Sequence, residues 1–159
     1  MNISRTHDSG LIKSIVFHPE LLNTTNYSQI DTSHVELDTN KECYLVCKID
    51  GVSAGVCVFE MENTNTVSYH PNLLPKYRGK HSTEFTIKAL KWLYENAPRI
   101  IKVNIKIPSN MKSLIRHAKS IGFKVEGVDR CSIIIDEKIS DQTCMGITRI
   151  EIGGLNVNN

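Results

Sequence analysis

Between residues 82 and 96 the polar positions Glu84, Lys88, Lys91 and Glu95 fall four, three and four apart, while Phe85, Ile87, Ala89, Leu90, Trp92, Leu93 and Tyr94 take most of the rest. One narrow polar stripe beside a wide apolar arc predicts a helix that is largely buried, as a helix lying on a sheet is. Ser82 or its neighbour caps it, and Pro98 stops it. A second helix follows from Met111, Leu114, Ile115, Ala118 and Ile121, which repeat at helical spacing after Ser109 or Asn110 as the cap and before the stop glycine Gly122. Between the two, residues 99–107 alternate, with Ile101, Val103, Ile105 and Ile107 against Lys102, Asn104 and Lys106, the pattern of a half-buried strand.

Upstream, residues 43–49 and 52–60 are β-rich runs joined by Asp50-Gly51, a strong hairpin signal because both turn positions need positive φ. Gly55 inside the return strand predicts a bulge or a close approach by another group. Residues 63–65 make a second turn and 66–70 a third strand. Residues 11–17 are apolar enough for a strand that Pro19 ends, residues 20–22 suit one helical turn, and residues 23–40 read as polar loop. A strand opens at Phe123, and residues 131–135 and 143–150 are two more, joined by a polar turn; residues 156–159 fray. Strands, helix, strand, helix, strands is an α/β order. It predicts a mixed, mostly antiparallel sheet with helices on both faces and a parallel pair at its centre. In such sheets ligands bind near helix N-termini.

The stretch 73–82, Leu-Leu-Pro-Lys-Tyr-Arg-Gly-Lys-His-Ser, lies at such a place. It turns a strand into a helix, and a helix N-terminus carries unpaired N–H groups and partial positive charge. The turn is therefore a candidate phosphate site, with an ordinary solvated basic loop as the other reading. Lys76, Arg78 and Lys80 supply its charge.

Composition narrows the classes. The chain has 159 residues, enough for one domain with a real core, and an ordinary charged fraction of 23%. A net charge of +2 is too small to imply nucleic-acid binding, and Lys112, Arg116 and Lys119 along one helix face have no aromatic platform beside them. No apolar run is long enough for a bilayer and the polar N-terminus is no signal peptide, so no membrane partner is expected. Five cysteines, Cys43, Cys47, Cys57, Cys131 and Cys144, lack metal-type pairing and read as buried thiols of a reducing cytoplasm; no metal is expected.

In order and spacing, the Leu73-x-Pro75-x-Tyr77-Arg78-Gly79-Lys80 turn, its helix, the Ile/Lys strand, Pro108-x-Asn110, the second helix and Gly122-Phe123-Lys124-x-Glu126-Gly127 resemble the GNAT superfamily of acyl-CoA N-acyltransferases. The closing Asp141-x-x-x-Met145-Gly146-Ile147-x-Arg149 is similar to the last strands of the branch that acetylates protein N-termini, and the Trp92-Leu93 helix with the Asn110 segment to small acetyltransferase-like proteins of tailed bacteriophages. The resemblance implies one GNAT-like domain over 1–159, with its core at about 42–150 and a splayed central parallel pair. It implies acetyl-CoA as acyl donor, whose arm runs along Leu73 and Leu74, whose diphosphate lies on the turn from Arg78 through Gly79, Lys80, His81 and Ser82 to Thr83, and which Asn110 also touches. The acceptor would be an amine of a protein or small molecule, and an exposed edge strand could pair two subunits.

Two departures stand out. The family loop has the form Arg/Gln-x-x-Gly-x-Gly/Ala, and here His81 and Thr83 replace its glycines. Neither removes a donor, but both crowd the approach. Many members carry a Tyr four residues before Gly-Phe to protonate the leaving thiolate; this chain has Ala118, with His117 beside it turned by about 100°. These departures support the alternative of an inactive GNAT-like binding or virion-associated protein. For catalysis, a His or carboxylate must take the proton of the attacking amine. His70 is the first candidate and Glu60 its neighbour, with Glu62 next; each also suits a solvated strand end. Cys144 reads as a buried thiol, since direct transfer needs no covalent cysteine. A backbone N–H near Leu73 or Leu74 would meet the oxyanion.

Overall fold

The computed structural model describes residues 1–25, 35–135 and 137–155, with the side chains of 23–25 left aside. Among the described residues, seven strands form one sheet in the order β1-β2-β3-β4-β5-β7-β6. They are β1 Asn2–Arg5, β2 Cys43–Ile49, β3 Val52–Met61, β4 Thr66–Leu73, β5 Lys102–Pro108, β6 Lys124–Ile135 and β7 Lys138–Thr148. The helices are α1 Ser9–Val16, α2 Pro19–Thr25, α3 Ser82–Asn96, α4 Lys112–Ile121 and α5 Arg149–Gly153. The sheet is mixed and mostly antiparallel, as expected, with β4–β5 its parallel pair. The chain divides into two compact units, Met1–Glu60 with His70–Ala89 and Met61–Tyr69 with Leu90–Asn159.

In the first unit the β2–β3 hairpin turns at Asp50 and Gly51, with φ of 50° and 81°. Tyr44, Val46, Val56 and Val58 point to one face and meet Ile12, Ile15 and Leu21 of α1 and α2. Leu45, Cys47, Cys57 and Phe59 alternate to the other face and are buried. Glu84 and Lys88 of α3 act electrostatically on the Cys47 thiol, and Lys88 Nζ donates to the Met1 carbonyl at 2.8 Å, so α3 lies on that second face. Helices thus cover both faces of this unit.

In the second unit β5 and β7 pair from Lys102↔Thr148 to Pro108↔Gln142, and β6 lines β7 with two irregular steps. Ile115, Ala118 and Ile121 of α4 are buried, as are Val103, Met145 and Ile147. Gly122, at φ 123°, closes α4 against Ile147. The parallel ladder joins Thr66–Ser68 to Lys102–Asn104.

Several expected elements changed. Residues 11–17 form α1, not a strand. Leu11, Ile12, Ile15 and Val16 share a helix face as readily as an extended one, and Asp8 Oδ1 caps the helix by accepting the Leu11 N–H at 2.9 Å. Pro19 opens α2 at its first position instead of ending a strand. Of the loop expected over 23–40, residues 23–25 belong to α2 and 26–34 lie outside the described residues. β1 and α5 were not foreseen; α5 replaces the end of the strand expected over 143–150 and rests on a Thr148–Glu151 capping box. Neither Ser109 nor Asn110 caps α4. Met111 holds that position without a side-chain bond, and Ser109 Oγ lies 2.9 Å from Thr143 Oγ1.

Candidate functional site

β4 carries the candidate chemistry at its end. Gly55 of β3 lies so close that a Cβ there would sit 2.7 Å from the Asn72 carbonyl oxygen and 3.1 Å from Leu73 Cα. The β2–β3 register slips between Cys47 and Lys48, so Gly55 serves both readings its position offered, bulge and close approach. The Leu74 N–H donates to the Ala54 carbonyl at 3.0 Å. A trans peptide points its C=O and N–H in opposite directions, and no peptide described here is cis. The Leu73 carbonyl therefore faces away from β3. The Asn72 carbonyl leans onto β3, so the Leu73 N–H also faces away. Leu73 thus presents one donor and one acceptor on the side of β4 opposite β3. Leu74 is not an available oxyanion donor, because Ala54 holds its N–H.

The chain then makes a 3-10 turn, Pro75–Tyr77, in which Tyr77 and Arg78 donate to the carbonyls of Leu74 and Pro75. Gly79 follows at φ 71°, where a side chain would strain the backbone. Its N–H donates to Ser82 Oγ at 3.1 Å, and the Ser82 N–H returns to the Gly79 carbonyl at 3.3 Å. The turn thus uses the N–H groups of Arg78, Gly79 and Ser82 on itself. Those of Lys80, His81, Thr83 and Glu84 meet no acceptor among the described residues. Four donors consequently stand at the N-terminus of a 15-residue helix. The Ser82 hydroxyl, while accepting from Gly79, still has its own proton to give.

The His81 side chain packs within the turn. The His81 ring makes an edge contact with Tyr77 at 6.5 Å between centroids, and its Nδ1 lies 4.0 Å from Glu84 Oε2. Glu84 is held below the usual carboxylate range by its hydrogen bond to Lys88, at 2.9 Å, against a smaller opposing cost of burial. Lys76 Nζ sits over the Tyr77 ring at 4.9 Å. The Arg78 Nε–H donates to the Leu73 carbonyl at 3.0 Å.

Of the candidate bases, the structure brings His70 and Glu60 together, with Nε2 3.6 Å from Oε2 and both half exposed. Tyr44 stands in the same unit; burial and its hydrogen bond to Glu42 push its hydroxyl up, and Glu60 and Asp38 add to the effect. That buried tyrosine escaped the sequence reading because a Tyr inside an apolar strand looks like core.

The remaining candidates lie in the second unit. Glu62 Oε2 accepts from Asn104 Nδ2 at 2.7 Å, and Asn104 Oδ1 is buried with no hydrogen-bond partner among the described residues. Asn110 is exposed in the turn before α4, its carbonyl accepting the Lys112 N–H. Burial raises the Cys144 thiol, helped by its hydrogen bond to Asp129, so it is a poor nucleophile. Asp129 is in turn held low by Lys106, 2.6 Å away. Burial lowers His117, and Ala118 is buried. The cysteines divide: Cys47 and Cys57 are buried, Cys43 and Cys144 partly so, and Cys131 is exposed, against the expectation of buried thiols.

No family model and no curated protein matches the chain. Solved structures do. A point mutant of the spermidine N-acetyltransferase from Vibrio cholerae aligns with TM-score 0.75 at 13% identity over 97% of this chain and 98% of that one. A GNAT-family acetyltransferase from Streptococcus pneumoniae gives 0.72 at 13% over 92% and 98%. A chimera of the Vibrio cholerae enzyme with hSSAT gives 0.73 at 13% over 96% and 98%. The fold is that of the GNAT superfamily.

Proposed function

We propose that this GNAT-fold chain is an N-acyltransferase that moves an acetyl group from acetyl-CoA to an amine. The observation that carries the proposal is the pairing of two sets of backbone groups that begin seven residues apart. Leu73 offers an N–H and a carbonyl on the side of β4 opposite β3, and Lys80, His81, Thr83 and Glu84 offer four amides at the start of α3. The first suits the amides of a pantetheine arm, and the second suits a diphosphate.

Acetyl-CoA would supply the activated acyl group. The chain's own part is to hold the arm at the Leu73 carbonyl, to stabilise the oxyanion with the Leu73 N–H, and to take the amine proton at His70 or Glu60, directly or through a water. Glu60 and His70 lie side by side, with Nε2 3.6 Å from Oε2, so both are within reach of the same proton. Asn110 remains a proposed contact to the cofactor. The acceptor is a small-molecule amine, a reading supported by the spermidine acetyltransferases among the structural neighbours.

Ala118 and the Ser82 hydroxyl on Gly79 favour one other reading, a protein of this fold that has lost catalysis. Thermal melting with acetyl-CoA, followed by a thiol-release assay over a panel of polyamines and peptide amines, separates the two. Cofactor at about a hundred times its dissociation constant should add about 2.7 kcal/mol of stability. Stabilisation with thiol release supports the enzyme. Stabilisation without release on any amine supports the inactive binder, and a melting curve indifferent to millimolar acetyl-CoA contradicts the cofactor site.

A further inference from the structure

The Arg78 side chain occupies the one acceptor that the proposed arm site most needs. Ala54 holds the Leu74 N–H on β3, so the Leu73 carbonyl faces the opposite side, and there it meets the Arg78 Nε–H at 3.0 Å. Pro71, two residues earlier on the same strand, has no N–H to give. Leu73 is therefore the point at which the end of β4 can accept and donate together. We infer that Arg78 is a positioning residue that holds the Leu73 carbonyl and gives it up to a pantetheine arm. The inference rests on the acyl-CoA reading above, and it changes what Arg78 does there: before it meets any phosphate it competes with the arm.

The geometry explains why a latch is needed. A strand edge with an open donor and acceptor is a template for unwanted pairing. The guanidinium blocks it from within the chain, five residues away, and is drawn from the same turn that presents the diphosphate amides. A carbonyl can accept twice, but a planar guanidinium already seated on it takes the volume an arm would enter.

The two halves of the cofactor separate this role from a merely structural one. Calorimetric titrations of the full chain would use pantetheine, which is the arm alone, and 3′-phosphoadenosine 5′-diphosphate, which lacks the arm. Arg78→Lys keeps the charge and loses the Nε donor, and Arg78→Ala loses both. Releasing one charge-assisted bond should tighten pantetheine binding by about tenfold in either variant. The nucleotide should bind no tighter in either. If Arg78 only stiffens the turn, both probes weaken together. Pantetheine affinity unchanged or weakened in a folded Arg78→Lys chain overturns the inference. Independently, the Arg78 Nε–H should exchange slowly in the free wild-type chain and lose that protection on adding pantetheine; protection that survives binding also overturns it. Coenzyme A binding with pantetheine indifferent to Arg78 sinks the latch alone, whereas no binding of coenzyme A to any of the three chains sinks the acyl-CoA reading itself.

Discussion

Leu73 is where residue chemistry becomes the proposed binding surface. Its orientation depends on two neighbours: Ala54, which holds the next amide, and Gly55, whose missing side chain lets the Asn72–Leu73 backbone come close. A methyl at Gly55 would sit 2.7 Å from the Asn72 carbonyl oxygen, and backbone yields less readily than a side chain. Gly55→Ala should therefore cost about 1–3 kcal/mol in urea unfolding and should also weaken acetyl-CoA, because β4 must shift. A variant as stable as wild type would show that β4 is not held by this contact. The His70–Glu60 pair belongs to the same scale. Glu60→Gln removes a carboxylate that lies 3.6 Å from His70 Nε2 and can itself take the proton, so the rate of acetyl transfer should fall by about 10²-fold or more, as for other lost acid–base groups. A full-rate Glu60→Gln enzyme would move the base elsewhere.

At the scale of elements, α5 shows how local rules settle a boundary. Glu151 is drawn down to about 2 by Lys124, 2.5 Å away, and by the backbone and hydroxyl of Thr148. A carboxyl lowered on folding adds stability above its unfolded value, and that share is lost as pH falls toward the folded one. Glu151→Gln should thus be less stable at pH 7 by about 1 kcal/mol, the worth of a cap with partial solvent screening. The gap should close between about pH 4.5 and pH 2; a gap that persists at pH 2 would assign the effect to packing. The signal for this cap, Thr148-Arg-Ile-Glu151, was written in the sequence, but a β-rich reading of the run concealed it. The same ambiguity hid α1, because the apolar-rich run 11–17 fits both periods until Asp8 is seen to cap the helix. By contrast, α3 and the β2–β3 hairpin were legible from end to end, since fifteen residues of helical spacing and an Asp-Gly turn leave few alternatives. Of the candidate site, the sequence made legible the turn's place between β4 and α3. What sequence could not give was which amides the turn spends on itself, because that depends on the Ser82 hydroxyl and on Gly79 at positive φ.

Across the molecule, a GNAT fold at 13% identity to its neighbours shows how little sequence that architecture demands. The cofactor account asks only for features any sequence can meet: a strand end with its peptide turned outward and a helix start with spare amides. His81 and Thr83 leave those amides in place, so the loss of two loop glycines alters the approach rather than the donors. The most direct measurement is a titration of the full 15N-labelled chain with acetyl-CoA, followed amide by amide. The account predicts that the Lys80, His81, Thr83 and Glu84 resonances shift most and that their hydrogen exchange slows on saturation. Saturable binding that leaves these four unmoved while other amides shift would contradict it.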